Sequence, residues 1–128
     1  ASIPTSAPPS GMNLGKDLVA ASTTPLVLAI LSDGESYGYA IIKRVDELSG
    51  GDMQWTDGML YPVLHRLERS GYVKASWGRS ESGRRRKYYR LTERGSEELA
   101  SQRHQWQVVN SALRATPFHE CRLAPQGI

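Results

Sequence analysis

Apolar side chains recur at three- and four-residue spacing along most of this chain, and the pattern switches to strict alternation in one short stretch. From Leu14 to Leu31, the residues Leu18, Ala21, Leu28 and Leu31 fall on one side of a helix, which Pro25 is expected to kink or restart. Ser32-Asp33-Gly34 stops it. A second helix is predicted from Tyr37 to Leu48, with Ile41, Ile42, Val45 and Leu48 inward and Gly50-Gly51 at its end. A third runs from Asp57 to Ser70, with Thr56 as cap, Asp57 favourable in the first turn and Gly71 at the terminating position. Tyr72 to Trp77 and Lys87 to Leu91 alternate as two strands, joined by a polar loop from Gly78 to Arg86. In that hairpin Tyr89 and Leu91 are expected to face the core with Val73, Ala75 and Trp77 across from them, leaving Tyr88 and Arg90 outside. Thr92 caps a last helix that reaches about Ala115, before Pro117. The order helix, helix, helix, hairpin, long helix predicts an α+β, mainly helical fold without internal repeats.

Length and composition narrow the class. A chain of 128 residues, 39% hydrophobic and 23% charged, reads as one soluble globular domain. It can bury a core without disulfide or metal staples. The single cysteine, Cys121, excludes an intramolecular disulfide framework and a Cys-rich zinc site. The longest apolar run, Pro25 to Leu31, falls far short of the roughly 18 residues of a membrane helix. Without a basic, then apolar, then cleavable start, export is not expected, and the cytoplasm is the expected compartment. Residues 1–13, rich in Pro and Ser, read as a disordered arm or a cloning remnant, and residues 117–128 as a flexible tail.

Charge is uneven. Residues 1–62 carry 3 basic and 7 acidic side chains, residues 63–94 carry 10 and 3, and residues 95–128 carry 3 of each. One segment therefore holds all the net positive charge, which suits a polyanion as partner. A merely solvated basic face is the competing reading.

Within that segment, Leu60, Val63, Leu64 and Leu67 form the inner side of the third helix. The other side presents Gly58, Pro62, His65 and Arg69, flanked by Tyr61 and Arg66. Such a helix suits a DNA major groove, with Tyr61 on phosphate and Arg66 and Arg69 on phosphates or guanine edges. Any amphipathic helix exposes polar residues, however, and Pro62 fits neither reading well. The hairpin adds four consecutive cations, Arg84, Arg85, Arg86 and Lys87, after Gly83. Arg84 and Arg85 are expected near its tip, where a loop reaches along phosphates or into a minor groove.

The stretches Tyr37-Gly38-Tyr39-Ala40-Ile41-Ile42, Gly58-Met59-Leu60-Tyr61-Pro62-Val63-Leu64-His65-Arg66-Leu67-Glu68 and Gly83-Arg84-Arg85-Arg86-Lys87-Tyr88-Tyr89-Arg90-Leu91-Thr92 resemble the three signature blocks of the PadR family of winged helix-turn-helix regulators. The resemblance spans about residues 14–115 and accommodates Pro62. It implies a DNA-binding unit over 14–91, a C-terminal dimerisation helix over 92–116, a third helix that reads the major groove, and a hairpin that forms the wing. Tyr61, His65 and Arg66 match the recognition helix, and Arg84 to Lys87 match the wing. Two positions depart from the family pattern. Met59 stands where Thr or Ser is usual, and Arg85 often corresponds to proline, which makes this wing more basic and less stiff.

Leu99, Trp106 and Leu113 recur every seven residues on the last helix, with Val109 between them. A helix of about 24 residues is roughly 36 Å long, more than a small three-helix core needs. A second copy, helped by Leu14 and Leu18, would cover the stripe, giving a twofold dimer and palindromic half-sites about 34 Å apart. The family resemblance implies the same dimer. It also implies a ligand role for Trp106 with Leu18, since some short members stack flat aromatic drugs on a matching Trp between subunits. An ordinary dimer-core Trp is the competing reading. Ser101, Gln102, Gln105 and Asn110 keep the neighbouring surface polar.

No catalytic or phosphate-binding motif is present. His119-Glu120-Cys121 cannot easily converge on a metal, and His104 is a lone imidazole. The expectation is a non-enzymatic regulator without metal or cofactor, whose partners are double-stranded DNA and a second copy. It is read as a repressor of a palindromic operator, released by a planar hydrophobic ligand. The alternatives are a protein-interaction or drug-sequestering module without specific operator binding.

Overall fold

The computed structural model describes residues 14–117. The arm expected at 1–13 and the tail from residue 118 on, with His119, Glu120 and Cys121, lie outside the described residues. The elements are α1 (Lys16–Ser32), α2 (Gly38–Leu48), α3 (Asp57–Arg69), β1 (Val73–Arg79), β2 (Arg85–Leu91) and α4 (Glu93–Ala115). This is the expected mainly helical α+β order.

α1 runs as one helix through Pro25, so of the kink or restart expected there the restart does not occur. Thr23 is buried, and its hydroxyl donates to the Val19 carbonyl at 2.7 Å, which satisfies the polar group within the helix. At the start of α3 the Thr56 hydroxyl accepts from the Met59 N–H at 3.3 Å. Gly71, at φ 82°, turns the chain out of α3 toward β1. The Thr92 hydroxyl donates to the Gly71 carbonyl at 2.7 Å and accepts from the Gly95 N–H at 3.0 Å. One side chain thus ties the end of α3 to the start of α4.

The core joins all the elements. Val27, Leu28 and Leu31 of α1 meet Ile41 and Val45 of α2, and Leu60, Leu64 and Leu67 of α3. Val73 and Tyr89 close it from the hairpin, and Leu99 from α4. Gly38 lets α2 approach α3, because a Cβ there would collide with the Tyr61 hydroxyl. An isolated bridge pairs Ser36 with Tyr89, through N–H···O bonds of 3.0 and 2.7 Å, and moors the start of α2 to the free edge of β2.

Three expectations need correction. Leu48 is 54% exposed. It lies on the same helical side as Ile41 and Val45, but in the last turn of α2, past the residues that cover them. Trp77 is 59% exposed, so it does not join the core. It stands four positions up the ribbon from Val73, paired with Lys87, toward the turn and away from the buried end of the hairpin. The strands are also longer than expected, pairing out to Arg79 and Arg85, so Arg85 and Arg86 stand in β2 and the loop shrinks to residues 80–84.

Candidate nucleic-acid interface

α3 buries Leu60, Val63, Leu64 and Leu67 and exposes Gly58, Pro62, His65 and Arg69 in a row along the other side. The carbonyl that Pro62 deprives of a donor is that of Gly58, on the same exposed side, where water can reach it. The two flanking residues each make a contact of their own: the Tyr61 ring lies 6.4 Å from that of His65, tilted by 44°. Tyr61 is half-buried, with its ring against Gly38. Arg66 is exposed, yet its Nη2 donates to the Thr24 hydroxyl of α1 at 2.6 Å. Helical spacing puts both beside the row, but it does not show that Arg66 is tethered to α1. Met59 is exposed at the start of the helix.

The wing is closed by backbone bonds. Ser80 N–H donates to Arg84 O, and Gly83 N–H to Ser80 O, both at 2.9 Å. Arg79 donates to the Gly83 carbonyl at 3.0 Å. Three of the four consecutive cations lie over aromatic rings: Arg85 at 4.5 Å from the Trp77 centroid, Arg86 at 3.8 Å from Tyr37, and Lys87 at 5.6 Å from Tyr89. Tyr37 also meets Tyr88 edge-on, with centroids 5.7 Å apart. Trp77 and Tyr37 were missed as cation platforms. Strand alternation could have shown Trp77 and Arg85 on one face, but only with the loop length known.

Among the described residues the only ion pair is Arg44–Glu47, at 3.5 Å on α2. The wing cations are therefore left without acidic partners, and their field faces solvent. Beneath them Tyr89 is buried, and its hydroxyl has no hydrogen-bond partner among the described residues. Burial pushes its pKa above the ordinary 10.0, with Tyr61 and Glu68 adding to the rise.

A second feature lies between α1 and α4. Leu14, Leu18, Leu99 and Trp106 line an open groove of about 610 Å³, with Pro25, Leu26 and Met53 adding apolar wall and Arg103 and Asn110 polar groups. Leu99 is buried in the core of its own chain, while Trp106 is 36% exposed. Val109 and Leu113 do not line the groove but stand farther along α4, 51% and 56% exposed, next to an exposed Val108 that the heptad pattern did not include. Gln105 donates to Ser101 and Gln102 to Glu98 along the same helix. His104 is exposed, and no described helix is long and apolar enough to cross a membrane.

The model of the transcriptional regulator PadR-like family matches residues 27–101. Transcriptional regulator YqjI of Escherichia coli (strain K12) is 31% identical over 90 residues, which is 70% of this chain and 42% of that protein, so the chain spans less than half of YqjI. A transcriptional regulator from Clostridium thermocellum shares the fold with a TM-score of 0.70 at 28% identity, covering 77% of this chain and 96% of that one. A PadR family transcription regulator from Clostridium difficile R20291 is 30% identical with a TM-score of 0.64, covering 72% of this chain and 94% of its own.

Proposed function

Because the chain belongs to the PadR-like family of transcriptional regulators, we propose that this DNA-binding regulator acts in the cytoplasm as a homodimeric repressor of a palindromic operator. The observation that carries the reading is the exposed row Gly58, Pro62, His65 and Arg69 on α3, on the same small domain as a wing whose cations have no acidic partner among the described residues. Residues 14–91 form the DNA-binding unit. The row enters the major groove, where His65 and Arg69 meet base edges or phosphates, and Arg84 to Lys87 follow the adjoining backbone. Tyr61 and Arg66 reach phosphates from the two flanks, Arg66 after leaving Thr24.

Residues 92–116 form the dimerisation helix. The exposed Trp106, Val109 and Leu113 and the groove beside Leu14 and Leu18 are apolar surface that a second copy would cover. A planar hydrophobic ligand stacked on Trp106 and Leu18 in that seam would change the spacing of the two α3 helices. It would release the operator only by binding the two spacings unequally.

The test is binding to the DNA immediately upstream of the protein's own coding sequence, against random duplex of equal length at about 150 mM salt, where non-specific contacts are weakened. A preference of about a thousandfold or more is expected for an operator. Equal weak binding to that DNA and to every duplex from a random-sequence selection would instead favour a protein-interaction or drug-sequestering role.

A further inference from the structure

An indole that is 59% exposed keeps a large apolar face in water, and Trp77 holds that position on a wing otherwise covered with charge. The Arg85 guanidinium lies over its ring, 4.5 Å from the centroid. Arg79 pairs with Arg85 and Trp77 with Lys87, so Trp77 and Arg85 are diagonal neighbours on one face of the ribbon. A guanidinium lying on a ring is pre-organised and keeps its N–H groups available. Three neighbouring cations are differently employed, Lys87 among them, which lies over the buried Tyr89. Arg86 lies over Tyr37, which precedes α2, and Arg79 holds the turn through Gly83 O. Arg85 is therefore an arginine held against an exposed ring on a closed hairpin, without a carboxylate partner among the described residues.

An arginine presented in this way suits a narrow, electronegative minor groove, which A·T runs provide. In G·C pairs the N2 amino group projects into that groove and obstructs it. We infer that Trp77 is a positioning residue for Arg85, and that the Trp77–Arg85 pair gives this protein a preference for A·T-type minor groove beside the site where α3 docks. The inference rests on the DNA-docking reading above.

The full chain is titrated with three short duplexes carrying runs of A·T, of G·C and of inosine·C pairs at one fixed salt concentration. Inosine·C keeps the major-groove pattern of G·C and lacks the minor-groove amino group, so it separates the two grooves. The A·T and inosine·C duplexes are expected to bind about fivefold more tightly than G·C, the scale of one exposed arginine contact. Trp77→Ala brings that ratio close to one while leaving the salt slope in place, because the Arg85 charge still reaches phosphate. Trp77→Phe retains part of the ratio. Arg85→Ala loses the ratio and lowers the slope by about 0.9.

An unchanged ratio in Trp77→Ala or in Arg85→Ala overturns the inference, as does inosine·C behaving like G·C. Trp77 lies outside the core, so unchanged thermal unfolding is expected and can be checked on the same samples. Equal binding of all three duplexes by the native chain removes the Trp77 role and leaves DNA docking standing. Binding to none of them removes both.

Discussion

Added as one methyl group, the Cβ of an alanine at position 95 would strike the Tyr72 carbonyl oxygen and crowd Leu91. Alanine otherwise favours a helix over glycine by about 1 kcal/mol, so propensity and packing point in opposite directions. Packing wins here, because the obstructing atom is backbone and cannot swing aside. Gly95→Ala is expected to destabilise the fold by about 2 kcal/mol, read as a lower midpoint in urea at unchanged slope. A neutral or stabilised variant would mean that α4 sits farther from the hairpin than the Thr92 bonds place it. Nothing local marks this glycine, since its requirement comes from the Tyr72 carbonyl in the turn between α3 and β1. Thr92 was legible as a cap because capping is local. Its second bond, to Gly71 O, was not.

At the scale of elements, the wing and α3 carry the proposed contacts with DNA. Arg84→Ala combined with Arg85→Ala is expected to weaken binding to every duplex and to flatten the salt slope by about 0.9 for each phosphate no longer neutralised. An unchanged slope would take the wing off the DNA. The limits of α3 followed from its spacing and cap, and its buried side was legible residue by residue. The hairpin was read two residues short on each strand. Gly78 and the arginine run give no apolar alternation, yet backbone pairing needs none, and it continues to Arg79 and Arg85. The Ser36–Tyr89 bridge is a single residue wide, too short to leave any periodic trace.

For the whole molecule, the proposed dimer rests on α4. Val109 and Leu113 are both more than half exposed, so charging them would spare the monomer core while spoiling a seam between copies. Val109→Glu with Leu113→Glu is expected to halve the mass seen by sedimentation equilibrium at micromolar concentration, with the monomer's helical content retained. A dimer that survives both charges would place the seam elsewhere. Element order, caps, the buried stripe of α3 and the basic middle segment were set by the sequence alone, because spacing, cap chemistry and charge are local properties. The tertiary structure alone decided that Trp77 stands in solvent under Arg85, that Arg66 is tethered to Thr24, and that Leu99 belongs to the core of its own chain. Each of those outcomes depends on which distant residue lies across from the side chain, and no periodicity within one element encodes that.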